Sequence, residues 1–117
     1  MKPIELTAFT HLTQMPVFSI SGDELGHIKD VVFGDQHNVL YYALAYGGVL
    51  GIGEKFFAIA PEMIQIQSSN TKVIANLSRS QLDQSDGFDK DHWPDAPDAA
   101  LRQKTSDASL AYHRNEI

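Results

Sequence analysis

An uncharged run over residues 39–53, VLYYALAYGGVLGIG, constrains the fold of this chain more than any other segment. It is too short for a membrane-spanning helix, which needs about twenty apolar residues. Tyrosine, leucine and alanine residues in its first half predict a strand over 39–46 that is buried on both faces. Its last seven residues include four glycines, which predict a sharp corner. The run therefore predicts a buried strand that ends in a tight turn.

The glycine corner invites comparison with a phosphate-binding loop, and the comparison fails. Gly48, Gly51 and Gly53 match such a loop only in number, because a Walker loop needs Gly-Lys-Ser/Thr at the start of a helix. Here Lys55 follows Glu54, and the next residues, KFFAIA, have the character of a strand. We interpret the glycines as a corner between two strands and predict no nucleotide or other cofactor.

The segment from about residue 16 to residue 77 consists of short apolar runs separated by turn residues, with no long run of helical period. Strands are predicted at 17–20, 25–34, 39–46, 55–60, 64–67 and 71–77. A helical turn is expected at 61–64, and a short helix over 81–85 with Ser78 or Ser80 as its cap. Closure removes unpaired strand edges, so the predicted fold is mainly β, a small barrel of five to six short antiparallel strands.

The acidity of the chain is concentrated near its C-terminal end. Net charge is −6 over 117 residues, and six aspartates against Lys90 give −5 within residues 83–98 alone. We predict a β-barrel domain over 1–85 and an acidic extension over 86–117 that packs on the barrel or on a partner. One or two helical turns are expected over 98–104. No basic face is visible, so nucleic-acid binding is not expected.

The N-terminal residues lack the apolar run of a secretion signal, and the chain has no cysteine. The first observation disfavours export, and the second fits a reducing compartment. We therefore expect a cytoplasmic protein without membrane insertion.

Asp30 is the most unusual polar residue of the second predicted strand. If that strand is unbulged, Asp30 shares a face with Gly26, Ile28 and Val32, so a carboxylate lies on an otherwise apolar face. A buried carboxylate needs a hydrogen-bond or charge partner. Two interpretations stay open: Asp30 accepts backbone N–H groups from the glycine corner or an adjacent turn, or it handles protons or a small ligand together with polar neighbours such as His27 or Tyr41.

Phe88 and Trp93 are the aromatic residues of the acidic segment. They either anchor that segment on the domain or bind a partner, since tryptophan is common in binding hot spots. His92 lies among Asp89, Asp91 and Asp95, but neither this spacing nor that of the other histidines matches a known metal motif. We predict no dedicated metal site and no catalytic set.

Taken in order, these elements resemble the PRC-barrel family, named for the cytoplasmic domain of the photosynthetic reaction-centre H subunit. The resemblance spans about residues 6–93. Gly26, Ile28 and Asp30 stand in the family's G-x-[VI]-x-D strand, and Gly48, Gly51 and Gly53 in its glycine corner. The stretches that carry the resemblance are VFSISGDELGHIKDVV at 17–32, LYYALAYGGVLGIGEK at 40–55, FAIAP at 57–61, GFD at 87–89 and WP at 93–94.

The resemblance implies a stand-alone bacterial member with a small β-barrel that binds other proteins, and it supplies no catalytic residues. The family more often has proline followed by an aromatic residue where this chain has Pro61-Glu62. We expect a non-enzymatic interaction module whose partner the sequence does not name. Self-association as a homodimer is expected through a strand edge or the C-terminal segment. The alternative is the small-ligand or proton-handling domain centred on Asp30.

Overall fold

A computed structural model describes residues 7–47, 55–67 and 71–102, and in these ranges the chain is mainly β, as predicted. The predicted corner glycines Gly48, Gly51 and Gly53 and the turn at 68–70 lie outside the described residues. The strands are β1 Pro16–Ser19, β2 Glu24–Phe33, β3 Val39–Tyr46, β4 Lys55–Ile59, β5 Ile64–Ile66 and β6 Val73–Ala75. The short helices are α1 Phe9–Leu12, a 3₁₀ turn Pro61–Met63 and α2 Arg79–Asp83, and residues 99–102 are also helical.

The six strands form one mixed sheet in the order β4-β3-β2-β1-β6-β5. The prediction of a closed, purely antiparallel barrel was wrong. Within the described ranges β4 and β5 are the two edges of the sheet, and β1 pairs with β6 in parallel. The reason is the connection after β4, which crosses from one edge to the other through the 3₁₀ turn. The β5–β6 hairpin then adds to the free side of β1.

Three irregularities interrupt the pairing of β2, and two of them are extra residues of β2 itself, which bend it. Leu25 is an extra residue opposite β1, where Val17 pairs with Gly26 and Phe18 with Glu24. Lys29 is an extra residue opposite β3, where Ile28 pairs with Leu44 and Asp30 with Ala43. Bulges increase local twist and bend a strand. The ten-residue β2 therefore curls the sheet around one core.

The inner face of the sheet, lined by Ile28, Leu44 and Phe57, holds the main core. All three side chains are fully buried, and Leu12 of α1, Leu82 of α2 and Leu101 of the last described helix pack into the same cluster.

Helix α1 was not predicted, because it has only four residues and no side-chain cap. Helix α2 was predicted, and its cap is Ser78. The Ser78 hydroxyl accepts from the N–H of Gln81, and the Gln81 side chain accepts from the N–H of Ser78.

The outer face carries a smaller buried cluster of Tyr41, Ala43 and Ala58, with Val32, Leu40 and Phe88 packed against it. Because this face is also covered, β3 is buried on both sides, as its sequence predicts. Of the helices that the structure describes, none has the length and apolar character to cross a lipid bilayer.

Candidate functional site

The outer edge of β4 is paired with a segment of the acidic extension. We call residues 86–98 the strap. The N–H of Phe88 donates to the Phe56 carbonyl at 2.8 Å, the N–H of Phe56 donates back to the Phe88 carbonyl at 3.1 Å, and the N–H of Asp98 donates to the Ala58 carbonyl at 2.8 Å. An edge strand with unpaired backbone groups is prone to pair with another chain. The strap belongs to the same chain and hydrogen-bonds the backbone groups of Phe56 and Ala58, so this stretch of β4 is not a free edge for dimerisation.

Four aromatic rings join the strap to the sheet. Phe88 contacts Tyr41 edge-on, with ring centroids 6.3 Å apart, and lies 5.8 Å from Phe56. Trp93 stacks on Phe56 at 6.2 Å and lies 5.1 Å from Phe88. Its indole N–H donates to the Lys90 carbonyl at 2.7 Å, which fixes the ring. Phe88 is half-buried, whereas Trp93 stays 41% exposed. Both residues lie where the strap meets the sheet, and Trp93 also faces outward.

Tyr41 links β3 to the strap through a hydrogen bond to Pro94. Its ring is fully buried, and its hydroxyl donates to the Pro94 carbonyl at 2.8 Å. Burial raises the pKa of Tyr41 above its usual value, and the negative charges of Asp30 and Asp95 raise it further. The hydroxyl therefore keeps its proton, and with it the hydrogen bond to the strap, over the ordinary pH range.

Gly87 lets the strap approach β4 closely. Its φ is +68°, and a Cβ at this position would lie 2.7 Å from the Phe56 carbonyl oxygen and 3.2 Å from the Phe57 ring. Only glycine fits a positive φ with so little space. In the sequence, Gly87 is one residue of a polar loop with no sign of a special role. Its role becomes evident only from its close contact with Phe56 and Phe57 of β4.

A shallow cavity of about 180 Å³ lies between the strap and β4. Its lining is mostly apolar, with carboxylates close by. The lining residues are Ala58, Gly87, Phe88, Pro94, Ala96, Pro97 and Asp98. The carboxylate of Asp98 accepts the N–H groups of Ala100 and Leu101 and so begins the helical turn at 99–102. This turn falls within the 98–104 segment predicted to be helical.

Asp30 does not share a face with Gly26 and Ile28, so this part of the prediction was wrong. The extra residue Lys29 shifts the alternation, and Asp30 pairs with Ala43 on the outer face, as His27 pairs with Ala45. Asp30 is half-buried, and its carboxylate accepts the N–H of Val31 at 2.8 Å. Its donor is the next residue of the same strand, whereas the interpretation named the glycine corner or an adjacent turn, so this contact does not decide between the two interpretations.

Gly26 has a clear structural role in the same strand. Its φ is +153°, and a Cβ there would lie 1.9 Å from the Ala45 carbonyl oxygen on β3. Any side chain would push β2 and β3 apart, which explains why the G-x-[VI]-x-D pattern begins with glycine. Ile28, the next motif residue, is fully buried in the inner core.

Side-chain hydrogen bonds hold the loop of the strap at residues 89–92. His92 Nδ1 lies 2.7 Å from Asp89 Oδ1, and this contact lowers the pKa of Asp89. The same carboxylate oxygen accepts the N–H of Asp91 at 2.9 Å. Across residues 7–47, 55–67 and 71–102, the structure brings no three His, Asp or Glu side chains together as metal ligands. The arrangement stabilises a turn.

A second concave surface lies between α1, β5 and the β2–β3 hairpin. This apolar groove has a volume of about 180 Å³ and is lined by Thr7, Phe9, Leu12, Val31, Phe33, Tyr42 and Ile66. Phe9 is 51% exposed and Phe33 is 63% exposed. This groove was not predictable from the sequence, because it depends on α1 and on the face that Phe33 takes after the bulge at Lys29.

These features define a small β domain whose single mixed sheet curls around one core and carries an apolar groove and a docked acidic strap. Residues 7–82 match the sequence profile of the PRC-barrel domain, and the chain belongs to this family. The match includes all six strands and most of α2 but ends before the strap. A search of curated proteins found no match to the chain.

Proposed function

We propose that this PRC-barrel protein is a non-enzymatic, cytoplasmic domain that binds other proteins and associates with itself. The observation that carries the proposal is the apolar groove, in which Phe9 and Phe33 are more than half exposed. An exposed apolar patch of this kind marks an interaction surface more often than an isolated exposed residue does. The cysteine-free sequence supports the cytoplasmic location.

The geometry of the groove suits a contact between two copies. Phe33 projects at one side of the groove that it helps to line, so in a two-fold contact each copy can offer Phe33 to the partner's groove. Full burial of a phenylalanine is worth about 1.5–3 kcal/mol. Because Phe33 is 63% exposed, its burial would contribute about 1–2 kcal/mol per copy, and symmetry doubles that contribution.

Light scattering and sedimentation over a range of concentrations test this proposal. We expect the wild-type chain to dimerise and Phe33→Ser to shift the equilibrium toward monomer. Ile20→Ser is the matched control, since Ile20 is 66% exposed but does not line the groove. A pull-down from native cells with the same three proteins extends the test to other partners. A wild-type monomer at every concentration, together with identical capture by wild type and Phe33→Ser, would contradict the proposal.

A proton-handling or small-ligand role for Asp30 is the second candidate. The observation that favours it is the electrostatic influence of Asp30 on the buried hydroxyl of Tyr41. NMR titration of the Asp30 carboxylate, with Asp30→Asn as the matched variant, tests it. An unshifted carboxylate and an Asn variant that changes neither ligand binding nor proton uptake would remove this candidate.

A further inference from the structure

We propose that the strap and β4 form a docking surface for a cationic peptide segment that carries one apolar side chain. This inference rests on the proposed function, since it names the chemistry of a partner for an interaction domain. It concerns a surface distinct from the apolar groove. The strap also lies beyond the residues that match the family, so this partner would belong to the chain's own extension.

The apolar part of the surface is the cavity between the strap and β4. Its volume of about 180 Å³ is enough for one aliphatic or aromatic side chain, since a cavity of about 150 Å³ already accommodates benzene. Ala58, Phe88, Pro94 and Pro97 supply apolar walls. Trp93 precedes Pro94 in the chain, is held in place by its bond to Lys90, and leaves 41% of its surface open to a partner.

The negative charge of the strap determines which kind of peptide this surface would bind. The strap has five aspartates against Lys90, a net charge of −4 with His92 neutral. Asp98 lines the cavity, and two further aspartates are chain neighbours of lining residues: Asp86 precedes Gly87, and Asp95 stands between Pro94 and Ala96. Asp86 and Asp95 are exposed. This concentration of negative charge attracts lysine and arginine and repels acidic segments or nucleic-acid phosphates.

Isothermal titration of the full chain, followed in parallel by Trp93 fluorescence, tests the docking surface. The probe is the capped peptide Lys-Arg-Leu-Arg-Lys at low salt, compared with Lys-Arg-Ser-Arg-Lys and Glu-Glu-Leu-Glu-Glu. We expect the leucine peptide to bind and to change Trp93 fluorescence. The serine peptide should bind roughly tenfold more weakly, because it loses the apolar anchor. The acidic peptide should not bind, and added salt should weaken the basic peptides.

Variants of the chain separate a specific site from general charge attraction. The double substitution Asp86→Asn and Asp95→Asn should weaken the leucine peptide about tenfold. Asp35→Asn, in the exposed β2–β3 turn, removes a charge elsewhere and should leave binding unchanged. Circular dichroism shows whether each variant remains folded. Absence of binding by the leucine peptide, equal binding of the leucine and serine peptides, or equal effects of the strap and turn variants would overturn the proposal.

The outcome for this surface is independent of that for the groove. Phe33→Ser should bind the leucine peptide as the wild type does, and the Asp86 and Asp95 variant should keep the wild-type association state. If the peptide fails to bind while Phe33→Ser still abolishes self-association, the docking proposal fails and the proposed function stands.

Discussion

Replacement of Gly87 by alanine tests whether the strap is held on β4 as the structure describes. The new Cβ would lie 2.7 Å from the Phe56 carbonyl oxygen, which is the acceptor for the N–H of Phe88. Relief of this clash requires the strap to move away from β4. Gly22→Ala is the matched control, since Gly22 also has a positive φ, +95°, but a Cβ at this position would meet no atom within 4 Å.

The expected magnitudes differ because only one variant combines backbone strain with a clash. A left-handed backbone costs alanine about 1–2 kcal/mol, and both variants carry this cost. Movement of the strap also breaks the two Phe56–Phe88 hydrogen bonds, at about 0.5–1.5 kcal/mol each, and disturbs ring contacts worth about 0.5–1.5 kcal/mol. We therefore expect Gly87→Ala to destabilise the strap by roughly 3–5 kcal/mol and Gly22→Ala to lose only about 1–2 kcal/mol.

Urea unfolding with two probes separates the strap from the sheet. Trp93 is the only tryptophan, so its fluorescence reports on the strap, whereas far-ultraviolet circular dichroism reports on the whole sheet. In Gly87→Ala the fluorescence transition should move to lower urea than the dichroism transition. If Gly87→Ala and Gly22→Ala lose the same stability by both probes, the close approach of the strap to β4 is wrong.

Two further predictions concern β2 and Tyr41. Gly26→Ala places a Cβ 1.9 Å from the Ala45 carbonyl oxygen, so it should lose at least about 3 kcal/mol by thermal unfolding, and a near-wild-type melting temperature would refute the described register. Burial and the hydrogen bond to the Asp83 carboxylate raise the pKa of Tyr46, as burial raises that of Tyr41. The stability that the two tyrosines contribute is therefore complete below about pH 10 and falls above it, because tyrosines of the unfolded chain ionise first. Urea unfolding across this range measures the fall, which should be smaller in Tyr41→Phe; an identical fall would contradict the raised pKa of Tyr41.

The strands were predictable because their signals are local. The strand Val39–Tyr46 was predicted with its observed bounds, and Ser78 was one of the two predicted caps of α2. Both signals depend only on residues close together in the sequence: a run of β-forming residues and a capping box. The parallel pairing of β1 with β6 was not predictable, because it depends on which edge the chain reaches after Pro61. Helix α1 gave no signal, since one turn without a cap has no sequence pattern.

The site was predictable only in part, for a related reason. The contact role of Phe88 and Trp93 was predictable because aromatic residues are unusual in a polar segment. The close packing of Gly87 and the groove at Phe33 were missed, because both depend on residues distant in sequence. The predicted face of Asp30 was wrong because the apolar pattern of β2 does not reveal the extra residue at Lys29.

The extra residue at Lys29 decides which face the second half of β2 presents. In a straight strand that kept Lys29 in the pairing, Asp30 would share the inner face with Ile28, and Val31 and Phe33 would turn outward, away from the groove. The groove on one face and the packing beneath the strap on the other thus depend on the same bulge. Deletion of Lys29 would remove the bend but keep Ile28 opposite Leu44 and Asp30 opposite Ala43, so both surfaces would stay in place, whereas a change that forced Lys29 into the pairing would exchange them.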